Sequence, residues 1–327
     1  MKKIIPIMLD TQQRISNSNK LLESWIPSLP SIYQIEVMSR CNFKCQFCQT
    51  GIRDTPYSGN SFIDDALFKK IVERDLGGSS FIELQFRGEP TLNKHLNDYV
   101  NLLRKKVFVG FSTHGNLLHH RHALNAALNS HYVTISIDAG NKKQYEQYRL
   151  GGTWEQLLYN IGKLLDYRGT TFFPVIDFQF IEFDGFEDQI KEFKDAAQQL
   201  GWMYKHTDRF YLGPKSTRIR TVKDTQAKAP NSHFTELCTN PWYSVSIKAN
   251  GAVVPCCMAF NDEPDMEYGN LHDQSLFDIW NSKKVKEFRQ HHQQNQNLPM
   301  TCQTCYARSP HNLHQNILNE ILKLKVL

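Results

Sequence analysis

From Ile32 onward, short apolar runs alternate with segments of helical period. Residues 32–38 (IYQIEVM), 81–86 (FIELQF), 107–113 (VFVGFST), 132–138 (YVTISID), 172–181 (FFPVIDFQFI) and 203–212 (MYKHTDRFYL) read as strands. Between them the spacing predicts helices starting at Ser61 and over 95–106, 119–130, 153–168 and 187–200. The first takes Ser61 as N-cap, Asp64 in its first turn, Leu67, Phe68, Ile71 and Val72 inward, and Gly77 as its stop; Gly201 closes the last. Six strands alternating without interruption with five helices argue an α/β fold with a parallel sheet, either doubly wound or curved into a full or partial barrel. In such barrels the working residues sit on loops after the strands. Here those loops begin with Cys41, Cys45 and Cys48, then RGEP (87–90), STHGN (112–116) and SIDAGN (136–141).

After residue 212 the pattern changes. Residues 213–237 are polar and basic, carry Pro214 and Pro230, and read as a linker. Next, YSVSIKANGAVVPCC suggests two short strands around Asn250-Gly251, a strong hairpin signal. An amphipathic helix over 275–294, the CQTC segment and a last helix over 313–327, expected to pack on the barrel, complete the chain. The expected organisation is an N-terminal extension (1–31), a strand–helix domain (32–212), the linker (213–237) and a small C-terminal domain (238–327).

A chain of 327 residues with 40% hydrophobic and 22% charged positions can bury one large or two unequal cores. The net charge of +5 is mild. The basic tract of Lys215, Arg218, Arg220, Lys223 and Lys228 reads as a solvated loop rather than a phosphate site. The apolar run from Ile4 to Leu9 is interrupted by Pro6 and ended by Asp10, so it does not read as a signal peptide. No run approaches the roughly 20 apolar residues that span a bilayer. These features fit a cytoplasmic protein.

Eight cysteines fall at 41, 45 and 48, then at 238, 256, 257, 302 and 305. In a reducing compartment such clusters hold metal or do redox chemistry. One metal site at each end is the economical reading. At the first, zinc would need a fourth ligand such as His95 or His114, whereas an iron–sulfur cubane on three thiolates keeps one iron open. At the second, the spacing of Cys238, Cys256, Cys302 and Cys305 by itself fits zinc as well.

The Cys-x3-Cys-x2-Cys loop after a first strand, with Phe47 directly before Cys48, resembles the radical S-adenosylmethionine superfamily. The resemblance implies a partial (β/α)6 TIM-like barrel in which Cys41, Cys45 and Cys48 hold a 4Fe–4S cluster. The amino and carboxylate groups of S-adenosylmethionine then chelate the fourth iron. Gly88, Glu89 and Pro90 match the family's Gly-Gly-Glu-Pro segment, with Arg87 in place of its first glycine. By the same resemblance Ser112 or Thr113 faces the cofactor, Ser136 and Arg149 touch ribose and carboxylate, and Asp138 faces the substrate.

The segments Cys238-x12-Gly251-x4-Cys256, YGNL, SLFDIWNS and CQTC resemble the SPASM/twitch accessory domain, a β-hairpin plus helices. That implies one auxiliary 4Fe–4S cluster on Cys238, Cys256, Cys302 and Cys305. Cys257 is then surplus and reads as a packed thiol, an alternative ligand or a hydrogen donor. The implied activity is formation of a 5′-deoxyadenosyl radical and hydrogen abstraction, fed by an external one-electron donor of flavodoxin or ferredoxin type. Oxidation of a sugar or cyclitol alcohol is the leading expectation; modification of a peptide or protein side chain is the alternative. A third reading, from another class, is a non-catalytic zinc protein that binds nucleic acid through the basic tract. His119 and His122, and His291 and His292, read as exposed helix positions, and Trp154, Trp242 and Trp280 as core anchors.

Overall fold

Chain order begins with helix α1 (Ile4–Leu21) and strand β1 (Ile32–Ile35), followed by α2 (Asp65–Lys70), which runs on as a π-helical turn over Ile71–Asp75. Then come β2 (Phe81–Glu83), α3 (Leu96–Leu103), β3 (Phe108–Thr113), α4 (Arg121–Asn129) and β4 (Tyr132–Ser136). Two helices follow, α5 (Lys142–Tyr148) and α6 (Trp154–Arg168), then β5 (Val175–Glu182), α7 (Gln189–Gln199) and β6 (Thr217–Lys223). The C-terminal region holds β7 (Ser244–Ile247), β8 (Ala252–Val254), β9 (Gly269–Asn270), α8 (Leu276–Trp280), α9 (Lys283–Gln294) and α10 (Met300–Gln303). This computed structural model describes residues 4–21, 26, 28–51, 59, 61–76, 81–183, 185–202, 217–223, 237–259, 264–303, 305 and 322.

One sheet runs in the order β6-β5-β4-β3-β2-β1-β7-β8-β9. Strands β1 to β6 pair parallel with their sequence neighbours, as the strand–helix alternation predicts. On the far side of β1, β7 also pairs parallel, setting Gln34 beside Ser246, and β8 and β9 add antiparallel strands. The C-terminal region therefore continues the barrel sheet. Gly251, at φ +84°, makes the β7–β8 turn that the Asn-Gly pair predicts.

The two sheet faces differ in chemistry. Tyr33, Ile35, Ile82, Val109, Phe111, Val133, Ile135 and Phe178 are buried on the outer face, against Phe68 of α2, Leu96 and Val100 of α3, Leu157 of α6 and Phe193 of α7. Residues of opposite parity line the interior. Its lower layer is apolar: Ile32, Phe81, Phe108, Tyr132 and Val175 cluster with Tyr243, and Met8 of α1 plugs that end. One step toward the strand C-termini the interior turns polar, with Gln34, Glu83, Ser246, Thr134 and Asp177 all buried.

Several expectations need correction. Segment 217–223, expected within the linker and as a basic solvated loop, is strand β6, in register with β5. The strand expected at 203–212 lies outside the described residues, as do Lys215, Lys228 and Gly77. Asp64, not Ser61, caps α2, accepting from the Leu67 amide at 3.1 Å. Helix α5 interrupts the simple alternation. The 275–294 helix is two helices, because Ser275 and Ser282 each accept from a backbone N–H three residues on, at Asp278 and Val285. Of the 313–327 helix only Leu322 is described, and it packs on the cluster that holds Met8. Trp154, Trp242 and Trp280 are buried as expected.

Candidate active site

The cysteine loop leaves β1 and is clamped from two sides. The Lys44 amide donates to the Leu150 carbonyl at 2.8 Å, and Phe43 stacks on His114 with centroids 3.8 Å apart. Cys45 is buried; Cys41 and Cys48 are half-buried. Burial, then the charge of Glu89 and the other two cysteines, pushes the Cys41 thiol up to about 12. Burial raises Cys45 as well, with Arg149 working against it. Such thiols ionise only against a strong local cation, and a metal centre supplies one. The donor set thus fits a thiolate-bound cluster.

Glu89 joins the loops. Its backbone N–H donates to the Arg40 carbonyl at 2.9 Å, and its Oε1 accepts from the Thr91 amide (3.1 Å), the Thr91 hydroxyl (2.5 Å) and the Thr113 hydroxyl (2.7 Å). Its Oε2 accepts from the His114 amide at 2.9 Å. Pro90 opens the single 3-10 turn that Glu89 caps. A side chain at Gly88 would press within 2.2 Å of the Met38 carbonyl, so this close approach to the cysteine loop requires glycine. His114 completes the clamp. Its Nδ1 accepts from the Asn116 amide at 3.1 Å, so in the neutral ring Nε2 carries the proton, 2.9 Å from Asn42 Oδ1. Burial favours that neutral form.

On the opposite side Arg149 pairs with Asp138 in a buried ion pair and lies 5.4 Å from the Phe47 ring centroid. Burial opposes the charge on Arg149, but Asp138, with Cys45 and Tyr145, holds its pKa above the ordinary value. Asp138 sits at φ +54°, and its second oxygen, Oδ1, accepts from the Ile181 amide at 2.7 Å. Both carboxylate oxygens are therefore engaged within the protein. Phe47 also packs with Phe183 at 5.1 Å. Of the other candidates, Thr113 turns to Glu89, Ser112 donates to Glu83 at 2.8 Å, and Ser136 pairs with Gln179 at the end of β4.

Cys238, Cys256, Cys302 and Cys305 are half-buried and none is in a disulfide. Burial, with Cys257, Cys238 and Cys302 adding, pushes Cys256 far up, so this thiol too needs a cation to ionise. Cys257 instead lies in electrostatic reach of Arg87, Glu83 and Cys305, and the Arg87 guanidinium donates to its carbonyl. The residue that departs from the family's glycine thus ties the Gly88-Glu89 loop to the C-terminal cysteines. Among the described residues, no three His, Cys, Asp or Glu side chains gather as a single-ion site would require. His122 is engaged with the Thr91 carbonyl at 2.8 Å. Asn42, Phe43 and the Arg87 bridge were not singled out in the sequence as parts of the site, and His114, named there as a possible zinc ligand, is instead part of the clamp on the cysteine loop.

Comparison with known proteins agrees with this arrangement. Residues 35–186 match the radical SAM superfamily, and residues 238–306 match the SPASM iron–sulfur cluster-binding domain. The chain thus carries a radical SAM domain followed by a C-terminal SPASM domain; it is a radical SAM enzyme that uses S-adenosylmethionine and 4Fe–4S clusters. This replaces the reading as a non-catalytic zinc protein. The chain is 22% identical over 265 residues to the S-adenosyl-L-methionine-dependent 2-deoxy-scyllo-inosamine dehydrogenase of Niallia circulans, covering 79% of this chain and 85% of that protein. The structure of Streptococcus suis SuiB bound to its precursor peptide SuiA is similar with a TM-score of 0.58 at 14% identity, over 84% of this chain and 68% of that one. Histidine-tagged anSMEcpe with bound AdoMet also gives a TM-score of 0.58, at 16% identity, over 90% and 92%. At these identities the two structures speak for the fold, the expected partial barrel. No helix among the described residues is long and apolar enough to cross a membrane.

Proposed function

We propose that the enzyme oxidises an alcohol on a small, hydroxyl-rich molecule of the sugar or cyclitol type. The observation that carries this reading is the polar ladder above the apolar plug. Ser112 Oγ donates to Glu83 Oε1 at 2.8 Å, Gln34 Nε2 donates to Glu83 Oε2 at 3.0 Å, and Ser246 Oγ donates to Gln34 Oε1 at 3.0 Å. The ladder crosses β3, β2, β1 and β7 inside the barrel, and its hydroxyls, amide and carboxylate suit a hydroxylated ligand better than an apolar one. The Niallia circulans dehydrogenase, whose name specifies a cyclitol amine, supports the same class.

In this reading Cys41, Cys45 and Cys48 hold the cluster that binds S-adenosylmethionine, and Cys238, Cys256, Cys302 and Cys305 hold the auxiliary one. When bound, these groups supply a 5′-deoxyadenosyl radical and a one-electron acceptor. Gly88 and Glu89 fix the loop beside the cofactor, and Arg149, steadied by Asp138, offers a buried cation to its carboxylate. Oxidation of an alcohol to a carbonyl removes a hydrogen atom, a proton and an electron; Glu83 is placed to take the proton. The reaction runs in a compartment with a flavodoxin- or ferredoxin-type donor, as the cytoplasm provides.

The test is anaerobic turnover with a panel of cyclitols and aminocyclitols deuterated on carbon. Deuterium should appear in 5′-deoxyadenosine for the true substrate class. Transfer from a peptide, and none from the panel, would overturn the reading. Glu83→Gln keeps the shape of the ladder but removes the base. It should lower carbonyl formation by about 10²- to 10⁴-fold while 5′-deoxyadenosine still forms. Cys302→Ala should likewise retain 5′-deoxyadenosine and lose the oxidised product, as product analysis by mass spectrometry would show.

A further inference from the structure

The C-terminal region contains a buried donor that no protein acceptor among the described residues uses. Tyr268 is 4% exposed, and its hydroxyl has no hydrogen-bond partner among those residues. Its backbone is fixed, because the amide donates to the Val253 carbonyl at 2.7 Å. Its ring is fixed too, packed edge-on against Phe288 of α9 with centroids 5.2 Å apart. Packing alone would be served as well by phenylalanine. A buried hydroxyl left unpaired is penalised, so its presence calls for an acceptor.

The neighbourhood supplies one. Tyr268 lies within electrostatic reach of Cys256, Cys302 and Cys238, three of the four C-terminal thiols. Cys302 Sγ itself sits 3.9 Å from the sulfur of Met266, two residues before Tyr268. Arg289, fully buried over the Trp280 ring at 4.2 Å and donating through Nε to the Pro241 carbonyl at 2.9 Å, adds a cation on the same side.

We infer that Tyr268 donates its hydroxyl proton in a hydrogen bond to a sulfur of the auxiliary cluster, a cysteine thiolate or a bridging sulfide, and thereby raises that cluster's reduction potential. Hydrogen bonds to cluster sulfurs stabilise the more negative, reduced state, and potentials are set in part by them. Tyr268 is a positioning and tuning residue in this role and touches no substrate. The inference rests on the proposed ligation by Cys238, Cys256, Cys302 and Cys305.

The experiment uses the full chain with Cys41, Cys45 and Cys48 changed to alanine, so that only the auxiliary cluster reports, with and without Tyr268→Phe. Iron and sulfide content, a potentiometric titration followed by electron paramagnetic resonance, and proton couplings in water and deuterium oxide are measured. With Tyr268→Phe the iron content should stay unchanged. The reduction equilibrium should shift about tenfold toward the oxidised form, about 59 mV for one electron. A strongly coupled exchangeable proton should disappear. An unchanged potential with the same exchangeable proton overturns the inference. Loss of iron from the Tyr268→Phe protein alone also overturns it, by making Tyr268 a packing residue. If the parent protein with Tyr268 intact binds no iron, the ligation beneath the inference fails, an outcome the iron assay separates from the others.

Discussion

Cys41→Ala protein, reconstituted without oxygen, is expected to form no 5′-deoxyadenosine above background when given S-adenosylmethionine and a reductant. With three protein thiolates, the cluster has one iron left for the cofactor; with two, no stable cubane of that kind remains. Cys41 cannot be replaced by a nearby group, because both ring nitrogens of His114 are engaged, by Asn42 and the Asn116 amide. Glu89, the nearby carboxylate, spends its two oxygens on Thr91, Thr113 and the His114 amide. Iron should fall from about eight to about four per chain, the auxiliary site keeping its share. Undiminished 5′-deoxyadenosine by chromatography would remove Cys41 from the ligand set.

That candidate ligand set was legible in the sequence because cysteine spacing is local: a loop of eight residues carries its own geometry. So was the alternation of sheet faces, since in IYQIEV the apolar Tyr33, Ile35 and Val37 face the helices while Gln34 and Glu36 face inward. What the sequence hid is non-local. Nothing in SVSI announces that Ser246 stands beside Gln34, 212 residues away, because parallel pairing leaves no turn signal. Strand β6 was hidden for another reason. Its alternating Thr217, Arg218, Ile219, Arg220, Thr221, Val222 has a strand period, but its cations read as a solvated run. Helix α5 escaped because its only buried side chain is Tyr145, too little for a helical period. The second clamp on the cysteine loop, Phe43 against His114, joins two loops 71 positions apart, and neither residue type distinguishes such a stack from ordinary packing.

Asp138→Ala is expected to destabilise the protein by about 3–5 kcal/mol, the usual cost of leaving one member of a buried ion pair without its partner. Burial and the engagement of both oxygens set this cost. The Asp138 side chain is 0% exposed and that of Arg149 10%, so little solvent replaces the lost charge. The Ile181 amide on the neighbouring strand loses its acceptor at the same time. Asp138→Asn separates the two effects. An asparagine tolerates the positive φ and still offers an oxygen to Ile181, but it does not neutralise Arg149. Its stability in urea denaturation should therefore fall between those of wild type and Asp138→Ala. Because Arg149 also lies beside Cys45 and Phe47, the asparagine variant should bind S-adenosylmethionine more weakly even where it stays folded. Equal stability of Asp138→Ala and wild type would show that the pair carries no structural weight, and the role given to Arg149 would then lose its support.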